Sequence, residues 1–201
     1  MRTPRILLSA LALTTALVLT ACGTPPWQQP GAGGGEPTPA STPKEIQTVV
    51  NELANGSTQH ELQAGDIRLI VDYYSTLDMG DWTPQANKPL SISMTANLSS
   101  DQGQKVYLSQ MKLVVAAFAA DGSAVESPAP LEDRTTVNPG YLVKAPYSYS
   151  QTFVLPALPA DAAYVTVSMT YELLLQTTPT SAEFAKQTAS DTLTIGIAES
   201  E

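Results

Sequence analysis

From about Gly65 onward, apolar and polar residues alternate with a period of two. Leu90, Ile92, Met94, Ala96 and Leu98 are separated by Ser91, Ser93, Thr95 and Asn97, and Ser99 follows. The same alternation runs through Val165, Val167, Met169, Tyr171 and Leu173 against Thr166, Ser168, Thr170 and Glu172. Successive side chains of a strand point to opposite faces, so the pattern predicts half-buried strands with one hydroxyl-rich face to water. Further strands are expected over 67–74, 106–119, 147–155 and 192–197. Turn residues lie between them at Asp101-Gln102-Gly103, Asp121-Gly122 and Asn138-Pro139-Gly140. Six or seven short strands with no long helix among them predict an all-β chain, an antiparallel β-sandwich of about seven strands over residues 57–201.

Ahead of the strands the period changes. Thr42-Pro43-Lys44-Glu45 places a hydroxyl at an N-cap, a proline at the first helical position and an acid at the third. Ile46, Val49, Val50 and Leu53 then recur at helical spacing up to Asn55-Gly56, which predicts a short amphipathic helix over 43–56. One apolar stripe on so short a helix is not stable alone in water, so the helix must dock on the domain or on a partner. Residues 22–42 are rich in Pro, Gly, Gln and Thr, as in Thr24-Pro25-Pro26-Trp27 and Gly31-Ala32-Gly33-Gly34-Gly35. Too few apolar groups are present to offset the entropy of ordering. A flexible stem is expected there, its ends roughly 25 Å apart.

The first 21 residues have a basic front, Arg2 and Arg5, followed by an uncharged apolar run from Ile6 to Leu19. That run is too short to span a bilayer and has the length of a signal-peptide core. It leads into Leu19-Thr20-Ala21-Cys22, and Cys22 is the only cysteine. This pattern resembles the lipobox of bacterial lipoproteins. The resemblance implies cleavage after Ala21, a diacylglycerol on the Cys22 thiol, and a protein anchored by its lipid at the extracytoplasmic face of the cell membrane. Two or more acyl chains make such an anchor lasting, at about 0.8 kcal/mol per buried methylene. The Ala, Thr and Pro bias fits a GC-rich actinobacterium.

A second resemblance covers residues 65–197. Gly65-Asp66-Ile67 opens a strand, Leu113-Val114-Val115 runs through Phe118 to Asp121-Gly122, and Pro139-Gly140 precedes Phe153-Val154-Leu155-Pro156. This order resembles the immunoglobulin-like domain of small actinobacterial and Gram-positive lipoproteins and secreted antigens. Leu158, Pro159 and Tyr164 also resemble the approach to a tyrosine corner. The resemblance implies an immunoglobulin-like β-sandwich and, because fold does not fix activity, little about function.

Charge and chemistry narrow the remaining choices. The chain carries 10 basic and 19 acidic residues, a net charge of −9. Loss of Arg2 and Arg5 with the leader leaves 8 against 19, a net of −11. Such a surface repels phosphate backbones, so no nucleic-acid partner is expected. With Cys22 alone, no internal disulfide can form. Any triad or histidine-metal site would need His60, the sole histidine, which reads as a solvated loop residue between helix and strands. No HExxH, P-loop or dinucleotide motif occurs, and no catalytic residue, metal or cofactor is assigned. Glu132 and Asp133 beside Arg134 read as a solvated loop.

The remaining cluster is Asp72, Asp78 and Asp81 with Tyr73, Tyr74 and Trp82. Acids along a loop suit Ca²⁺, and aromatics beside acids suit sugar rings. The plainer reading is an acidic turn whose Trp82 packs on the domain. Asp78, Asp81 and Trp82 are kept as a possible binding loop, because recognition is usually carried by loops on a rigid scaffold. The expectation is a non-catalytic binding or scaffolding protein of the cell envelope, its partner an envelope protein or glycan. The alternative is a lipid or glycolipid carrier with an apolar cavity.

Overall fold

The structure is a computed structural model and describes residues 49–199. Among the described residues it is all-β, with ten strands. They are β1 (Ser57–Ala64), β2 (Ile67–Tyr74), β3 (Lys88–Leu98), β4 (Val106–Phe118), β5 (Ala124–Val125), β6 (Leu131–Arg134), β7 (Tyr141–Leu142), β8 (Tyr149–Leu155), β9 (Tyr164–Gln176) and β10 (Phe184–Gly196). One sheet runs β1-β2-β3-β8 and the other β10-β9-β4, with β5, β6 and β7 each paired to a different stretch of β4. Every pairing of these strands is antiparallel.

The alternation read from the sequence becomes the inward face of each strand. Ile67, Leu69, Val71 and Tyr73 of β2 are buried, as are Leu90, Ile92, Met94 and Ala96 of β3 and Val165 to Leu173 at every second position of β9. Residues from both sheets form one hydrophobic cluster. At roughly 1.5–3 kcal/mol for each large side chain, that burial is the main stabilising contribution.

On β4 the phase slips. Val106 and Leu108 are buried, and then Met111, Leu113, Val115 and Ala117. The change from even to odd positions is absorbed by an irregularity between Leu108 and Gln110. There Ser109 is the extra residue of a bulge, which lets both halves of the strand face the core. Its Oγ donates to the Glu172 carbonyl at 3.0 Å and its carbonyl accepts from Thr135 N at 3.1 Å. The β1–β2 hairpin closes through Gly65-Asp66, with Gly65 at φ 58°. A Cβ at Gly140 would lie 2.5 Å from the Leu108 carbonyl oxygen, so only glycine lets the chain approach β4 before β7.

Two expectations are corrected. The described part of the expected helix over 43–56 is not helical; residues 43–48 lie outside the described residues. Glu52–Asn55 form a turn, with Gly56 N donating to the Leu53 carbonyl at 2.7 Å. Two forces override the helical pattern. Asn51 Oδ1 accepts from Leu53 N at 3.1 Å, a local bond that competes with helix. Leu53 is fully buried whereas Val50 is 75% exposed, so the apolar residues do not share a face. The only helical element among the described residues is a 3-10 turn at Met79–Asp81. The second correction concerns Glu132, Asp133 and Arg134, which belong to β6 rather than a solvated loop.

Leu53→Ala should therefore destabilise the domain by about 2–5 kcal/mol, as for a buried core leucine. Val50→Ala should stay within about 0.5 kcal/mol of wild type. Urea unfolding of both variants distinguishes a core anchor from a helix face.

Candidate functional site

The residues expected to act as a binding loop are separated by the fold. Asp78 and Asp81 are exposed around the 3-10 turn, where Asp78 Oδ1 accepts from Gly80 N at 2.8 Å. Trp82 has turned inward and is fully buried. Its indole Nε1 donates to Ser75 Oγ at 2.9 Å, and its carbonyl accepts from Ala198 N at 3.0 Å. Asp72 and Tyr73, neighbours on β2, face opposite sides of the sheet, and Asp72 accepts from Gln59 Nε2 at 2.7 Å. Cys22 lies outside the described residues.

The loop following Trp82 is organised from within. Lys88 is fully buried, and its ammonium donates to the carbonyls of Thr83, Pro84 and Ala86 at 3.1, 3.0 and 2.6 Å. Burial lowers the Lys88 pKa, while three carbonyl acceptors offset part of the desolvation cost. Next to the 3-10 turn, Ala54–Gly56 and Ser75–Met79 line a concavity of about 610 Å³. Asp78 is one of its lining residues.

The densest polar cluster is elsewhere, where the edge strands β1 and β10 meet. His60 lies on β1, on the same face as Leu62 and Ala64, and not in a loop. Its Nδ1 is 2.7 Å from Asp191 Oδ2, and its Nε2 is 3.3 Å from Glu52 Oε1. Asp191 occupies the inward phase of β10, between buried Ala189 and Leu193. Tyr73 donates to the same Asp191 oxygen at 2.6 Å. The Tyr73 hydroxyl has one proton, so Tyr171, 2.8 Å away, donates to Tyr73 in turn. The His60 ring meets the Tyr73 ring edge-on, with centroids 5.3 Å apart. A chain Tyr171–Tyr73–Asp191–His60–Glu52 thus runs from the core to the rim.

Burial, above all, pushes the Tyr73 hydroxyl well above the ordinary tyrosine range, with Tyr171 and the Asp191 carboxylate adding to it. Burial likewise raises Tyr171. Near β8 a shorter pair repeats the theme. Tyr149 donates to Asp133 Oδ2 at 2.6 Å, and burial followed by that carboxylate raises its pKa.

Chemically, this cluster is a joint. Each ring nitrogen of His60 faces a carboxylate of the domain itself, Nδ1 at 2.7 Å and Nε2 at 3.3 Å. The two carboxylates lie on different nitrogens, which does not converge ligands on one ion. Among the described residues no group of three His, Cys, Asp or Glu side chains is placed to hold a metal. No protein-family model matches the chain, and no curated protein matches it.

The sequence holds a faint signal for this site. Thr58, His60, Leu62 and Ala64 share a phase, as do Ala189, Asp191, Leu193 and Ile195. A titratable residue in the apolar phase of a strand must find a partner inside.

Raised tyrosine pKa values fix the sign of an alkaline effect. The folded state holds the phenolic protons more tightly, so their contribution is complete below about pH 10 and is lost as pH rises further. Stability should fall above that point by up to about 1.4 kcal/mol per pH unit for each of Tyr73, Tyr149 and Tyr171. Tyr73→Phe should cost about 1–3 kcal/mol at neutral pH and make the alkaline slope shallower. Urea midpoints across the alkaline range check both outcomes.

Proposed function

We propose that this chain is a lipid-anchored, non-catalytic binding or scaffolding module at the extracytoplasmic face of a bacterial cell membrane. In this reading the two sheets form an immunoglobulin-like β-sandwich, Cys22 carries the anchor, and residues 22–42 are the stem. The observation that carries it is the role of the His60 cluster: the sole histidine and its acids join sheet edges instead of facing a substrate cleft. The interior between the sheets is filled by one apolar cluster, which favours a binding module over a carrier. The contact surface is the concavity walled by Ala54–Gly56 and Ser75–Met79, with Asp78 among its lining residues and buried Trp82 as the support beneath the loop. Its partner is an envelope protein or glycan. The net charge of −9 disfavours anionic partners.

Two experiments test the parts separately. Cys22→Ala should move the chain from the membrane fraction to the aqueous fraction of a bacterial host. Retention in the membrane would remove the lipid anchor. A photo-reactive side chain at Thr76, on the concavity, should form a discrete adduct on intact cells. The same group at Ser127, on a different concavity, should not. Equal adducts from both positions would remove the Asp78 loop as the contact surface.

A further inference from the structure

One wall of the proposed contact surface is held in place by the His60 cluster. Ala54, Asn55 and Gly56 line the concavity, and they follow directly on Glu52 and Leu53. Leu53 fixes the segment from inside. Glu52 fixes it from the side. Its N–H donates to the Thr194 carbonyl at 3.0 Å, its Oε2 accepts from Thr194 N at 2.6 Å, and its Oε1 faces His60 Nε2.

The Asp191 contact is a hydrogen bond to Nδ1, whereas the Glu52 contact is an ion pair that exists only when the ring is protonated. We propose that His60 is a proton-operated latch on this concavity. With both nitrogens protonated it adds a third tie on Glu52 beside the two bonds to Thr194; loss of one proton removes that tie and loosens the wall formed by residues 52–56.

Geometry selects which arm opens. The Asp191 contact is the shorter, 2.7 Å against 3.3 Å, and the Asp191 side chain is 13% exposed against 29% for Glu52. Asp191 is also fixed by Tyr73 and by Thr192 N, which donates to Oδ1 at 2.8 Å. The last ring proton therefore stays on Nδ1, and the Nε2 lone pair is left facing a carboxylate.

The titratable groups facing His60 are Glu52 from the N-terminal segment, Asp191 from β10 and Tyr73 from β2, with Tyr171 of β9 behind Tyr73. Glu61 and Arg68 pair with each other on the outward faces of β1 and β2. Raising the pH removes ring protons from a histidine, so the latch is closed at lower pH and opens as pH rises.

The latch stands on these contacts alone; its effect on binding rests on the function proposed above. Hydrogen–deuterium exchange of the full chain tests the latch without a partner. Corrected for intrinsic rates, the amides of residues 52–56 should exchange about tenfold faster near pH 8 than near pH 5. The core strands should not change. Glu52→Gln keeps the size of the arm and should abolish that difference, as should His60→Gln. A wild-type chain without the difference, or a Glu52→Gln chain that keeps it, overturns the latch. The Thr76 adduct is then compared at both pH values. An adduct that varies with pH in wild type and not in Glu52→Gln supports the coupling. An exchange difference with an adduct indifferent to pH leaves the latch standing and overturns its coupling to binding at the concavity.

Discussion

A carboxylate placed on the apolar phase of an edge strand has to be satisfied from inside, and Asp191 is satisfied by both sheets at once. It lies on β10 of one sheet and accepts from Tyr73 and His60 of the other. A buried carboxylate without partners costs several kcal/mol, and these two donors, with the Thr192 amide, reverse that penalty into specificity of placement. The chain has a single cysteine, so no disulfide joins the sheets. Their relative position rests on apolar packing, which is non-directional, and on bonds such as these, which are not. Asp133 and Tyr149 serve the same end from β6 and β8.

Much of the sheet architecture could be read in the alternation. β2 begins and ends at the expected residues, 67 and 74. β3, β4, β8 and β9 begin within two residues of the positions where their patterns start. In β3 and β9 one face is apolar and the other hydroxyl-rich, so tertiary packing and local pattern agree. Elsewhere they conflict. The spacing of Ile46, Val49, Val50 and Leu53 matches a helix, but a helix needs its stripe to stay on one face, and the burial of Leu53 alone breaks it. β1 was obscured because Gln59, Glu61 and Gln63 dominate its composition. β5, β6 and β7 are too short to show a period; they exist because β4 offers them an edge.

The site was less legible than the fold for a related reason. Asp78, Asp81 and Trp82 are close in sequence, and closeness in sequence is easily mistaken for a shared surface. Trp82 lies in the core and the two acids do not. Glu52 and His60 are near in sequence, but Asp191 lies 131 residues from His60, and only the meeting of two sheet edges brings it to them. Trp82 does retain a part in the loop, since its support and the carbonyl cage around Lys88 set the course of the backbone from Ser75 to Ala86. A loop built on such a base has little freedom to change shape.

The tiling of β4 has a consequence for behaviour in a crowd. A strand of 13 residues at the border of a sheet would present a long row of backbone donors and acceptors to any neighbouring copy. Here three short segments divide that row among themselves, and the bulge at Ser109 interrupts its regularity. On the opposite border, the Asp191 and Glu52 carboxylates occupy the Thr192 and Thr194 amides, donors that would otherwise face outward. Growth by strand addition meets obstacles at both borders of this sheet, which removes one route by which copies crowded side by side could template fibres.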